Sequence, residues 1–313
     1  MARARIAKGT AIANDDVNGV QTATIASVAL AAASTLLVLV ANNRGFDPQS
    51  VTWNGQALTA AVVREPAGGP DVRIFQLANL TAGTGDVVVT YPGATLPESI
   101  AIAALELQGV VTAPLDRTAS GAGSSTSPAS AASPRTSSRN EILIGAIATQ
   151  GPSGDAAGSW SNGFTAGQRA GTTGGTASLK TTVAEGFRFV TVPGAYTAAK
   201  TGITSRPWAA GVATFKHEPP SEIAVLLAEA PDSKVVHFDN GAGAVYFGYG
   251  TVDEDDQDEP PLAGHVIAVT LETAAFPGLA AAATLNVDGT DYRVAQVRQR
   301  EDALTRVWCA RKT

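Results

Sequence analysis

The sequence predicts an all-β protein with two domains, and three observations support this prediction. Short apolar segments alternate with turns rich in Gly, Asn, Asp and Pro along all 313 residues. Only 16% of the residues are charged and 44% are hydrophobic, which excludes a coiled coil and a charge-rich disordered chain. A domain typically has about 100–200 residues, so the length suggests two domains.

The first apolar stretch, from Ile25 to Ala41, could be mistaken for a targeting or membrane segment. It is interrupted by Ser and Thr, contains many Ala residues and falls short of a strongly apolar spanning helix. Three basic residues precede it, but two aspartates intervene, which does not fit a signal peptide. We therefore predict two buried strands, Thr22–Leu30 and Thr35–Ala41.

The next segments are predicted to be strands joined by tight turns. Asn54-Gly55 supplies the positive φ angles of a type I′ turn and predicts a hairpin. Further strands are predicted at Val72–Leu77, Asp86–Tyr91, Ile100–Leu107 and Ile142–Thr149. The last two are continuous apolar runs, which suit strands buried inside a sandwich.

Two polar tracts separate the remaining strands of this half. Thr118–Asn140 is predicted either as a long surface loop or as a connection that pairs at a sheet edge. Residues 151–178 are rich in Gly, Ser and Thr, with Trp160 and Phe164 as anchors. Strands are then predicted at Lys180–Ala184, Ala195–Thr201 and Trp208–Phe215, the last with the alternating pattern of a closing strand.

The clearest boundary is the Pro219-Pro220 pair, which favours an extended connection. Residues 1–220 contain 15 Lys and Arg against 13 Asp and Glu, a net of +2, and residues 221–313 contain 7 against 15, a net of −8. The two parts therefore present different surfaces. We predict an arm at 1–20, a β-sandwich at 21–217, a linker at 218–221 and a second domain at 222–313.

The second domain shows seven strand signals and a strong Asp288-Gly289 hairpin turn. About 90 residues of short strands predict a small β-barrel or sandwich. The seven predicted strands are Ile223–Leu227, Ser233–Phe238, Ala244–Tyr249, Val266–Leu271, Ala283–Val287, Asp291–Arg298 and Leu304–Arg311.

Both domains resemble known families. The segments Ser50–Thr59, Val72–Leu77, Gly83–Thr90 and Trp208–Phe215 resemble the jelly-roll-type β-sandwich of phage structural proteins and bacterial surface proteins. The segments Phe276–Leu279, Ala283–Val294 and Asp302–Val307 resemble the head–tail joining (stopper) proteins of long-tailed phages. The predicted fold is therefore an N-terminal jelly-roll-like β-sandwich followed by a small β-barrel domain.

The second resemblance implies a ring at the neck of the virion, the head–tail junction, assembled from a protein made in the host cytoplasm. It implies as partners further copies of the chain in a hexameric or dodecameric ring, portal and adaptor proteins, and tail terminator or tail tube proteins. Packaged DNA would pass through the lumen without sequence-specific binding, and no membrane or cofactor is implied. The head–tail joining proteins in question consist of the small domain alone, so the N-terminal sandwich is a departure from the family.

Two charged segments are candidate interfaces. The acidic run would order on docking to neighbouring subunits, would face the lumen of the ring, or is a solvated loop; its residues are Asp253, Glu254, Asp255, Asp256, Asp258 and Glu259. The basic arm with Arg3, Arg5 and Lys8 is either a disordered terminus or binds an adjacent subunit or the major capsid protein.

Nothing in the sequence favours catalysis or a metal site. No Walker loop, nucleophile elbow, zinc motif or EF-hand spacing is present. His217 is predicted to lie in the Pro-rich connection, and His237 and His265 lie in or beside predicted strands without recognisable partners. Gly241–Gly243 is interpreted as a hairpin turn. Cys309 is predicted to be a small buried hydrophobic residue.

The leading hypothesis is a non-enzymatic neck protein of a tailed phage with an outward-facing decoration domain. The alternative is a cement or decoration protein on the capsid surface, and a third hypothesis is a bacterial surface carbohydrate-binding module. Copy number separates the first two, because a ring contains few subunits and a capsid carries many.

Overall fold

The all-β prediction is confirmed by the computed structural model, which shows no α-helix in the residues it describes. These are residues 5–15, 19–43, 45–93, 96–173, 176–217, 233–239, 245–253, 266–272, 284–287, 290–299 and 304–311. Contacts divide the chain into a larger unit, residues 9–217, and a smaller unit, residues 1–8 with 218–313.

The larger unit begins with a jelly roll that is complete by residue 108. Its nine strands are β1 Arg5–Asp15, of which residues 5–8 belong to the smaller unit, β2 Thr22–Leu30, β3 Thr35–Asn42, β4 Ser50–Trp53, β5 Gln56–Ala57, β6 Thr59–Arg64, β7 Asp71–Leu77, β8 Gly83–Thr90 and β9 Ser99–Gln108. One sheet has the order β1-β9-β3-β7-β6 and the other the order β2-β8-β4-β5. The pairs β1–β9, β2–β8, β3–β7 and β4–β5 nest within one another, as in a long hairpin wrapped into a two-sheet jelly roll.

Strand β1 corrects the prediction of an N-terminal arm at 1–20. Residues 5–15 form a strand, and Ile12 packs against the core between the two sheets of the jelly roll. The sequence signal was weak because Ala, Gly, Thr and Lys separate Ile6 from Ile12, and the first three of these have modest or no apolar surface. The fold therefore starts before residue 20.

The jelly-roll core is filled by large side chains from both sheets. Trp53 and Tyr91 are almost fully buried there, together with aliphatic residues of β3, β8 and β9. The Trp53 indole donates a hydrogen bond to the carbonyl of Val28 at 3.1 Å, so its polar atom is satisfied within the core. Burial of a Trp with a partnered N–H anchors sheet against sheet.

The Asn54-Gly55 hairpin is confirmed. Asn54 and Gly55 have φ angles of 47° and 75°, and Trp53 pairs directly with Gln56 across the turn. Two consecutive positive φ angles define the type I′ turn that this dipeptide favours.

A second module of the larger unit packs on the jelly roll. Its seven strands are β10 Val110–Ser125, β11 Glu141–Gln150, β12 Ala157–Trp160, β13 Thr165–Gly171, β14 Thr181–Val190, β15 Lys200–Ile203 and β16 Arg206–His217. Five of them form the sheet β10-β16-β11-β14-β13, and β12 pairs with β15. This five-stranded sheet contacts β3, β6, β7 and β9, so the first jelly-roll sheet has a neighbour on each face.

Burial on both faces explains the long apolar runs. Every residue of β3 is buried, as are nine of the ten residues of β9. A strand between two packed layers has no solvent face and loses the period-two alternation. The same applies to β16, which is buried from Trp208 to Phe215, so its predicted role as an alternating closing strand is wrong.

The Ser/Ala/Gly/Pro tract at Thr118–Asn140 divides between two structures. Its first part belongs to β10, the edge strand that pairs with β16 from Ala119↔Val212 to Ser125↔Arg206. The remainder runs without regular strand structure and is held by the isolated bridge Ala129↔Ala199 and by backbone hydrogen bonds such as that from Ser133 N–H to the carbonyl of Tyr196. Of the two alternatives, pairing at a sheet edge is correct for the first part.

The smaller unit contains one antiparallel ladder. Its strands after residue 217 are β17 Ser233–Asp239, β18 Val245–Asp253, β19 Val266–Glu272, β20 Thr284–Val287, β21 Thr290–Gln299 and β22 Leu304–Arg311. The order is β17-β20-β21-β22-β19-β18, and β17 also pairs with β18. Each of the six strands thus pairs with two others of the six, and β18 pairs in addition with β1. Among the described residues no sheet is closed into a barrel, so the prediction of a small β-barrel domain is not borne out.

Candidate functional site

The structure describes only part of the two predicted interface segments. Arg5 and Lys8 lie on β1, next to the Ile6↔Val245 pair that joins β1 to β18, and Arg3 lies outside the described residues. Asp253 is the last residue of β18. The other acidic residues of the run follow it in a segment that the structure does not describe, between the paired strands β18 and β19.

The histidines and the cysteine occupy strands or strand ends where they are described. His217 is the last residue of β16 rather than part of a linker, His237 lies in β17 and Cys309 in β22. His265 is outside the described part. Within the described ranges, no group of three His, Cys, Asp or Glu side chains is arranged to hold a metal ion.

The first charged cluster brings three carboxylates to one guanidinium. The Nη2 atom of Arg73 donates to Asp47 and Glu65 and lies 3.5 Å from Oδ2 of Asp71. Strand pairing creates this cluster, because β7 places Arg73 and Asp71 two residues apart and the end of β6 brings Glu65 beside them. Arg73 and Asp71 are almost fully buried, whereas Asp47 is largely exposed.

Asp71 is the unusual member of this cluster. Its side chain is 0% exposed, and among the described atoms its Oδ1 has no hydrogen-bond partner. Burial raises the pKa of Asp71 to about 7 despite the opposing charge of Arg73. With all four groups ionised the cluster carries a net charge of −2, so protonation of Asp71 relieves repulsion from Glu65 and Asp47.

Glu185 is a second buried carboxylate, on β14. The register of β13 against β14 shifts between Ala166 and Arg169, and the backbone N–H of Gln168 in this bulge donates to Glu185 at 2.7 Å. A bulge leaves a backbone donor without a ladder partner, and the carboxylate accepts it. Burial raises the pKa of Glu185 to about 7.

These two carboxylates give an expected pH dependence of stability. Their folded-state pKa values, both about 7, exceed their ordinary values of 3.8 and 4.5, so the folded protein binds more protons across this range. The unfolding free energy is therefore highest at and below the unfolded pKa values, and it falls as pH rises from about 4 through 7. We expect urea titrations to show that the unfolding free energy falls by several kcal/mol between pH 5.5 and pH 8 in the wild type. In E185Q it should fall by about half as much.

The control for this expectation is E98Q, which removes a half-buried carboxylate elsewhere in the same unit. It should keep the wild-type pH profile. A wild-type protein that is more stable at pH 8 than at pH 5.5 would contradict the assignment.

Asp116 binds Ser137 and Lys216 and has a structural role. The carboxylate accepts hydrogen bonds from the backbone N–H of Ser137 at 2.6 Å and from its hydroxyl at 2.7 Å, with the Lys216 ammonium at 3.4 Å. Burial alone would raise the pKa of Asp116, but these contacts lower it to about 2. Because its oxygens are occupied and its side chain is 4% exposed, Asp116 fastens the segment after β10 to the sheet.

Two glycines of the five-stranded sheet form the seat of Trp160, defined as the Gly145–Gly186 pair against which its indole packs. Gly145 of β11 and Gly186 of β14 are a cross-strand pair, and ring atoms of Trp160 pack against both. A methyl group on Gly186 would lie 2.5 Å from Cε2 of Trp160. Phe164 stacks on Trp160 with ring centroids 5.7 Å apart, which confirms the prediction that these two residues are anchors.

One cation lies against the Trp160 ring, and two arginines of the same module contact the loop that precedes β12. The Lys200 ammonium lies 5.5 Å from the centroid of the Trp160 ring. Arg169 of β13 donates to the carbonyl of Ser153 at 3.0 Å, and Arg206 of β16 donates from Nε to Asp155 at 2.9 Å. Burial, and then the charge of Arg169, lowers the pKa of Lys200 to about 8.

Sequence reasoning did not find these clusters. The members of the first cluster and those around Trp160 are spread over tens of residues, and only strand register brings them together. One signal was available, because residues 151–217 contain six Lys and Arg against two Asp and Glu in a chain of net charge −6. This local excess of positive charge marks the second module as the basic part of the larger unit.

Comparisons with known proteins give no family assignment. No protein-family model matches the chain, and no curated protein matches it in sequence. No helix in the described segments is long and apolar enough to cross a membrane.

Proposed function

We propose that this chain is a non-enzymatic structural protein of a tailed-phage virion and that its smaller unit forms a neck ring between the portal-adaptor complex and the tail. The observation that carries the proposal is the strand order of that unit. Strands β20, β21 and β22 fall on the segments that resemble the head–tail joining proteins and pair consecutively.

The charge of the smaller unit supports the same proposal. A net charge of −8 over residues 221–313 would repel DNA from the wall of a ring lumen. In the sequence the acidic run lies between the paired strands β18 and β19, and its carboxylates would contact a neighbouring subunit of the ring. Ring assembly would use a heterologous interface that closes by rotation.

The jelly roll favours a second candidate function, decoration of the capsid surface. Jelly rolls are found in viral capsid and lectin domains, and this one is complete by Gln108 with a second module attached. In this alternative the larger unit binds the head, and the chain is present in many copies instead of one ring.

Labelling of the chain in intact virions separates the two. We expect electron microscopy of virions with a tag after Thr313 to place the label at the head–tail junction, with one ring's worth of copies per particle by quantitative mass spectrometry. Label spread over the capsid surface with a high copy number would establish decoration instead. Absence from the purified virion would refute both.

A further inference from the structure

The charges around Trp160 are not balanced within the described chain. Lys200 lies over the Trp160 ring, and Arg169 of β13 pairs with Ala184, two residues from the Gly186 against which Trp160 packs. Arg169 also donates to the carbonyl of Asp155, whose carboxylate binds Arg206, so three cations and one carboxylate form the group. Asp155 is engaged by Arg206 through two contacts, at 2.9 and 3.4 Å. The group therefore has a net charge of +2, and its one carboxylate is already bound.

Lys200 is the least satisfied of the three cations. The residue is only 5% exposed, and its contact with the described residues is the ring of Trp160, with no hydrogen-bond acceptor or carboxylate. Arg169 differs because its guanidinium donates to two loop carbonyls, those of Ser153 and Asp155. An ammonium on a largely buried side chain with no anion beside it is unfavourable, and a second cation on the same face of the sheet increases the cost.

A bound anion would remove this imbalance. Lysine binds phosphate as a point charge and arginine binds it through its planar fork, so one ammonium beside one guanidinium suits a phosphate group. The net charge of +2 matches a phosphate dianion. We propose that Lys200 and Arg169 form a phosphate-binding site next to the ring of Trp160.

The test uses the full chain and inorganic phosphate. In isothermal titration calorimetry at constant ionic strength and pH 7, we expect saturable binding of one phosphate per chain. K200M and R169M should each weaken this binding about tenfold or more, which corresponds to about 1.4 kcal/mol for the loss of one charged contact. K200R keeps the charge and should retain most of the affinity.

The matched control is R64M, which removes an exposed arginine of β6 in a different sheet. It should bind phosphate like the wild type. Circular dichroism and the melting temperature show whether each variant is folded. If K200M does not fold, the phosphate affinities of R169M and K200R decide whether the site exists. No saturable binding, or equal binding by wild type, K200M and R169M, would overturn the proposal.

A second arm distinguishes the source of the phosphate. A short DNA duplex is titrated into the phosphate-loaded chain. Release of phosphate assigns the site to a nucleic-acid backbone, and retention assigns it to a small phosphate monoester or the free ion. Both outcomes support the site, and the proposal does not depend on the location of the protein in a virion.

Discussion

Replacing Gly186 with alanine should destabilise the larger unit by about 2–4 kcal/mol. The added methyl group would lie 2.5 Å from Cε2 and 2.6 Å from Cδ2 of the Trp160 indole. These are rigid ring atoms, and the ring also stacks on Phe164. The indole must leave its seat, which also removes the packing of β12 on the sheet.

The control for G186A is G154A. Nothing lies within 4 Å of a methyl group at Gly154, and its backbone does not require glycine. For a unit of this size, the expected change in G186A is a melting temperature lower by roughly 10 °C, with no change in G154A. Tryptophan fluorescence and calorimetry measure this. Equal melting temperatures for G186A and the wild type would show that the indole is not seated on the glycine pair.

Much of the strand pattern could be predicted, because apolar runs and turn residues are local signals. The bounds of β2 and β22 agree with the sequence-based prediction, and the Asn54-Gly55 turn has the predicted geometry. The predictions failed where residues are small and polar. Strands β1, β12 and β13 are rich in Ala, Gly, Ser and Thr and present no apolar period.

The packing of the sheets in layers could not be predicted from local sequence patterns either. A continuous apolar run indicates that a strand is buried on both faces but does not say what covers each face. The seat of Trp160 shows the same limit, since Gly145 and Gly186 are 41 positions apart in sequence and become neighbours only through the register of β11 and β14. The reason for glycine at both positions is the Trp160 indole that packs on them, and this contact is visible only in the folded structure.

Substituting Arg73 with methionine should lower the unfolding free energy by about 3–5 kcal/mol, because it leaves a buried carboxylate without its cation. This is as large as the effect expected for G186A, or larger. Methionine keeps much of the side-chain length and removes the charge. The Asp71 carboxylate would then be fully buried next to Glu65 and Asp47 with no positive group among the described contacts of this cluster. R64M is again the matched control, since Arg64 is exposed on the adjacent strand β6.

The pH dependence separates loss of charge from loss of packing in R73M. Arg73 lowers the pKa of Asp71, so its removal favours the protonated acid still further. A neutral Asp71 needs no cation, and the destabilisation should therefore be smaller at pH 5.5 than at pH 8. The double variant R73M/D71N should recover stability at pH 8, because the amide cannot ionise. Urea titrations of the four proteins form a double-mutant cycle. A cost that is the same at both pH values and unaffected by D71N would mean that Arg73 acts through packing alone.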